Sequence, residues 1–121
     1  MKFFLLVGLG GFLGSILRVG IGLVFNGSSL ATTLVNLSGA FLIGFFIKYA
    51  ESFSDPSFIK AFLILGLCGG FTTFSTFSME LMKCLDCGKW LIGIGFALVN
   101  VLGSLLLIYA GVRVGSLTVG V

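Results

Sequence analysis

The chain has 121 residues, 58% of them hydrophobic and 9% charged, with a formal net charge of +3 at pH 7. Its mean hydropathy of +1.24 leaves too little polar surface for a domain that faces water. That excludes a soluble domain and leaves an integral membrane protein, with no nucleic acid expected among its partners.

Four apolar stretches follow one another: Phe3 to Phe25, Leu30 to Ile47, Ala61 to Met79 and Trp90 to Val112. Each reaches or approaches the ~20 residues that cross ~30 Å of hydrocarbon at ~1.5 Å per residue. They are too long and unbroken for barrel strands, which alternate over roughly ten residues. The expected fold is therefore all-α, a single four-helix transmembrane domain over residues 1–121. The segments between the stretches, Asn26 to Ser29, Lys48 to Lys60 and Glu80 to Lys89, hold most of the charge.

In the first stretch, Lys2 ahead of an apolar run has the look of a secretory signal. No small-residue cleavage site follows and the run carries Arg18, so it reads as a mature helix. Gly8, Gly11, Ser15, Arg18 and Gly22 recur there at three- and four-residue steps and mark one face. Thr32, Asn36, Gly39 and Ile43 do the same in the second stretch, and Gly93, Ala97, Asn100, Ser104 and Gly111 in the fourth. Lipid gives helices no hydrophobic drive to associate, so small and polar stripes read as surfaces that meet protein. Gly8-Leu-Gly-Gly-Phe12 resembles Gly66-Leu-Cys-Gly-Gly-Phe71, and Val35-Asn-Leu-Ser-Gly39 resembles Val99-Asn-Val-Leu-Gly103. Duplication of a hairpin and chance in a chain rich in Gly and Leu both account for these echoes.

The third stretch carries the chemistry, in Gly69-Gly-Phe-Thr-Thr-Phe-Ser-Thr-Phe-Ser78. Adjacent glycines weaken a helix by up to ~1 kcal/mol each relative to alanine. An interruption at Gly69-Gly70 is expected, and it exposes backbone groups that are tolerable at membrane depth only against protein, water or an ion. Beyond it Phe71, Phe74 and Phe77 recur every third residue, with Thr72, Thr73, Ser75, Thr76 and Ser78 between them. Such hydroxyls often bond back to their own helix while the rings face lipid. Five hydroxyls in seven residues, directly after the glycines, favour a functional site.

No Asp or Glu falls within an apolar run, and the nearest, Glu80, stands at the end of the third. Proton- and cation-coupled carriers place an ionisable group mid-membrane, so this chain makes a poor one. Its membrane polar groups are Asn amides, hydroxyls, Arg18 and aromatic ring edges, all able to face an anion. Cys84-Leu-Asp-Cys87 has a spacing found in metal and redox sites, but without a His or a second pair it is expected to be a bland interfacial feature.

Orientation is almost undecided. If four helices alternate, one side collects Lys2, Lys48, Lys60 and Arg113 and the other Lys83, Lys89 and Arg18, four against three. Lys/Arg bias orients membrane proteins, so insertion both ways up is expected. Two opposed copies would then be related by a two-fold axis in the membrane plane.

These residues resemble the small bacterial fluoride channels of the Fluc or CrcB family, over essentially the whole chain. The match rests first on Gly69-Gly-Phe-Thr-Thr-Phe-Ser-Thr-Phe-Ser78 followed by Glu80. Thr32-Thr-Leu-Val-Asn36-Leu-Ser-Gly39-Ala-Phe41, Gly10-Gly-Phe-Leu-Gly14 with Arg18, and Asn100-Val-Leu-Gly-Ser104 support it. Ala31 and Ala40 depart from the family, where Gly and Ser are common.

The resemblance implies an antiparallel, dual-topology homodimer in the inner membrane, surrounded by lipid, with two fluoride pores and a structural sodium ion at its centre. It places Phe74 and Phe77 with ring edges toward fluoride, and Asn36 donating its amide. Ser75, Thr76 and Ser104 become a hydroxyl track, Thr32 and Asn100 join the pore, and Arg18 bears on the vestibule. Gly69 and Thr72 would give backbone carbonyls to sodium. The function implied is passive fluoride export. Rival readings are a small dual-topology exporter of drugs or metabolites and a non-transporting assembly protein. An enzyme is not expected, since there is no His and no buried carboxylate pair.

Overall fold

The computed structural model describes residues 1–120, and its regular elements are all helical, with no strand among those residues. Four helices are long and apolar enough to cross a membrane: Lys2–Val24, Ser29–Glu51, Ser57–Asp86 and Trp90–Val119. The first two are α1 and α2 and the last is α6. The third span is composite. It runs through α3 (Ser57–Ile59), a π-helical segment (Lys60–Cys68), α4 (Gly69–Phe71) and α5 (Phe74–Asp86).

Between α4 and α5, Thr72 and Thr73 are extended, at φ/ψ of −74°/154° and −146°/110°. The sequence points to Gly69-Gly70 instead, yet both lie in α4, and Gly69 has helical angles of −63° and −38°. The glycines serve packing. A Cβ on Gly70 would fall against the backbone of Gly11, and one on Gly14 against Leu67 O and Phe71 N. Branched threonine suits extended backbone better than helix, and Thr73 caps α5 by accepting the Thr76 N–H at 3.2 Å.

Two tight helix contacts build the core. In one, α1 lies on the π-segment and α4 through Gly10 and Gly14, both buried. The predicted stripe joins this contact only in its middle, where Gly11 lies against Gly70 and Ser15 and Arg18 reach the Gly70 carbonyl, while a Cβ on Gly8 or Gly22 would meet nothing within 4 Å. In the other, α2 lies on α6 through Gly44 and Gly111. Around this core Phe4, Leu23, Leu91, Leu106 and Leu117 stand fully outward, an arrangement that suits hydrocarbon and not water.

The helices also overrun the apolar stretches. α2 continues through Lys48 to Glu51, which form an exposed ion pair at 2.8 Å, and α6 continues to Val119. The segment expected to connect from Glu80 onward is mostly α5. Its apolar side turns Leu81 and Leu85 toward Gly93 of α6, while Lys83 and Asp86 occupy other faces. In the connection from α2 to α3, the Asp55 carboxylate accepts the Ser57 N–H at 3.1 Å. Bonds from Ser57 hold that carboxyl below the usual range.

Candidate functional site

The extended pair at Thr72 and Thr73 removes backbone partners at membrane depth, and side chains from other helices replace them. The Thr73 N–H donates to Asn36 Oδ1 at 2.8 Å, and Asn36 Nδ2 donates to the Thr73 carbonyl at 3.1 Å. The orientation of the amide follows from this pairing, since only the oxygen can accept the N–H. Asn36 Nδ2 also donates to Asn100 Oδ1 at 3.1 Å. Asn100 Nδ2 in turn donates to Thr33 Oγ1 at 3.2 Å and to the Phe96 carbonyl at 3.0 Å. Both amide protons of Asn36 are therefore engaged within the chain. The amide expected to face an ion is a cross-link joining α2, α6 and Thr73.

The Gly70 carbonyl, one turn before the extended pair, accepts from Arg18 Nε at 3.2 Å and from Ser15 Oγ at 3.5 Å. This ties α1 to the same region and holds the guanidinium partly buried. Outside the helices, no hydrogen bond among the described residues reaches the Gly69 or Thr72 carbonyl.

Thr73 stands between two grooves and lines both. The first, of about 460 Å³, also brings together Arg18, Thr32, Thr76 and Glu80. There Thr32 Oγ1 donates to Glu80 Oε1 at 2.9 Å, while Glu80 Oε2 is buried and has no hydrogen-bond partner. The second groove, of about 290 Å³, gathers Asn36, Thr72, Phe74, Phe77, Asn100 and Ser104. Its rings lie in series, Phe74 to Phe77 at 5.5 Å and Phe77 to Phe96 at 5.2 Å between centroids. Phe77 is buried at 5% exposure and Phe74 stands open at 77%.

The expected site residues thus divide. Arg18, Thr32 and Thr76 lie on one side of Thr73, and Asn36, Phe74, Phe77, Asn100, Ser104 and Thr72 on the other. Ser75 is exposed and lines neither, with its Oγ 3.4 Å from Thr73 Oγ1. Gly69 is also exposed, outside both grooves.

Residues 5–112 match the family described as CrcB-like protein, Camphor Resistance (CrcB). The chain belongs to the CrcB family. Relatives named "Fluoride-specific ion channel FluC" match over most of their length. The one from Methanococcus aeolicus is 38% identical, over 98% of this chain and 98% of its own. That from Elusimicrobium minutum is 40% identical over 95% and 91%. The protein from Methanococcus maripaludis is 45% identical over 92% and 93%. Four spans and membership of this family make the CrcB chain a multi-pass protein of the inner membrane.

Two residues of this CrcB site, Thr73 and Glu80, were noted in the sequence but given no role in the ion path. Thr73 fixes the extended pair by its backbone, caps α5 by its hydroxyl, and donates that hydroxyl to Thr76 Oγ1 at 3.0 Å. Glu80 lies well inside α5, which ends only at Asp86. Thr73, Thr76 and Glu80 are spaced i, i+3, i+7, a helical-face signal present in the sequence.

Proposed function

We propose that this chain conducts fluoride passively and selectively across the inner membrane, letting accumulated fluoride leave the cell. The observation that carries this reading is the chemistry of the second groove. Phenyl rings in series and the Ser104 hydroxyl line it, with no carboxylate beside them. The relatives are named for the same ion. A channel of this kind is not an enzyme.

Fluoride is small and holds its water tightly. A path for it must replace hydration with closely placed donors, and hold the ion weakly enough to release it. Ring rims carry partial positive charge and hydroxyls offer O–H, so Phe74, Phe77 and Ser104 face the ion. Asn36 and Asn100, whose amides are committed to each other and to Thr73, hold the ring-bearing turn in register. On the far side of Thr73, the Arg18 charge draws anions into the vestibule that Thr32 and Thr76 line.

Both grooves are open on a single chain, and an inverted second copy covers them to enclose two paths. The near-even Lys/Arg count of four against three supports insertion in both directions. At the two-fold axis the third spans meet where helix gives way to extended backbone. Gly69 and Thr72 carbonyl oxygens from both copies suit a hard cation such as sodium. When bound, that ion supplies a fixed positive charge that pins the copies together. Against a small drug exporter stands the family, whose relatives here are named as channels.

The test is efflux from liposomes loaded with fluoride and chloride, read with ion-selective electrodes. Fluoride is expected to leave fast and chloride at the leak rate. Equal loss of both would remove selectivity, and no protein-dependent loss of either would remove the channel.

A further inference from the structure

The last turn of α5 and the cap that follows it carry two thiols that the fluoride path does not use. Cys84 and Cys87 are both free, the first half-buried and the second exposed. Three residues apart on one helical turn, such side chains have Cβ atoms ~5–6 Å from one another. The turn is also fixed in shape. Cys87 N–H still donates to the Lys83 carbonyl at 3.1 Å, Gly88 N–H donates to Leu85 at 2.9 Å, and Lys89 N–H to Cys84 at 3.0 Å. With Gly88 at φ 72°, the last two bonds make a Schellman closure, which only a residue tolerant of positive φ accepts easily. Both cysteines line one open groove of about 360 Å³, together with Met79, Glu80, Lys83 and Lys89.

We propose that Cys84 and Cys87 form a binding site for a soft monovalent metal ion, of the class of Cu(I) or Ag(I). Thiolate and thioether sulfur select such ions over hard ones. A zinc-type site needs four ligands, and no group of three or more His, Cys, Asp or Glu able to hold a metal exists among the described residues. A two-coordinate ion needs no more than the pair. This is why the missing His and second Cys pair do not exclude it. Met79 lines the same groove.

Charge also fits. Two thiolates and one monovalent cation leave one negative charge, which Lys83 and Lys89 offset, while Glu80 opposes. Glu80 is partly occupied, its Oε1 accepting from Thr32. On binding, the two thiols release their protons to the buffer as two metal–sulfur bonds form, and the metal keeps its oxidation state. The proposal is independent of what the grooves beside Thr73 transport.

The experiment is anaerobic competition for Cu(I) between the full-length protein in detergent and a chromophoric chelator. One Cu(I) per chain is expected. Cys84→Ser and Cys87→Ser should each weaken binding by more than the ~10–100-fold that losing an outer-shell partner costs. Cys68→Ser, which removes the buried thiol of the third span, should leave binding unchanged. Failure to compete, uptake that survives substitution of both Cys84 and Cys87, or uptake that requires Cys68 would each overturn the assignment.

Discussion

At the contact of α2 with α6, a Cβ added to Gly44 would fall against Ile108 O and Val112 N, and one added to Gly111 against Phe41 O and Phe45 N. These helices meet by leaving side chains out. At Thr72 and Thr73 the third span is held by putting a side chain in, through the two bonds of Asn36 to Thr73. In lipid the first device gains from dispersion at close range, and the second from satisfying backbone groups that hydrocarbon cannot. Glycine contacts leave no room for a solute. An amide clamp preserves a gap in the helix, and the grooves open on either side of that gap.

The largest effect should come from filling the first kind of contact. Gly44→Leu is expected to cost ~3 kcal/mol or more, since overpacking against backbone has nowhere to relax. Folded recovery in detergent and the melting temperature would read it. Gly8→Ala is the matched control, because nothing lies within 4 Å of its Cβ position, and a slight gain is expected there. Equal damage from both would mean that close approach is not what the glycines supply.

Next comes the clamp. Asn36→Ala leaves the Thr73 N–H and carbonyl unpaired, and at ~1–3 kcal/mol for each such group the loss should be about 2–4 kcal/mol. Thermal or denaturant unfolding in micelles measures it. A change below about 1 kcal/mol would show that the extended pair does not depend on the amide. The smallest effect is expected at Lys48→Ala, which removes an exposed pair on α2 and should cost less than about 0.5 kcal/mol. A larger loss would place that helix end in a tighter environment than the structure describes.

The same contrast explains what could be read from the sequence. The four spans were legible because hydrophobic length is a local property. Their ends were not, since Lys48, Glu51, Lys83 and Asp86 remain helical at the edge of the apolar runs. Propensity points to Gly69 and Gly70 as the weak place, but those glycines serve the approach of α1 and stay helical. The extended residues are fixed by Asn36, 37 positions away in sequence, and no local propensity contains that bond. The same blindness hid the commitment of both Asn36 protons. Glu80 was placed at the end of the third stretch because the apolar run stops at Met79, while the helix that carries Glu80 continues to Asp86.

The central claim is that the ring series beside Thr73 lines the route of the ion. Phe74 tests it most directly, because the residue is 77% exposed on the single chain and contributes little to that chain's packing. Fluoride efflux from vesicles containing Phe74→Ile, matched for folded protein, is the measurement. The account predicts unchanged melting and a fall in flux of at least about tenfold, equivalent to ~1.4 kcal/mol of barrier. Flux equal to that of the unaltered protein would contradict it.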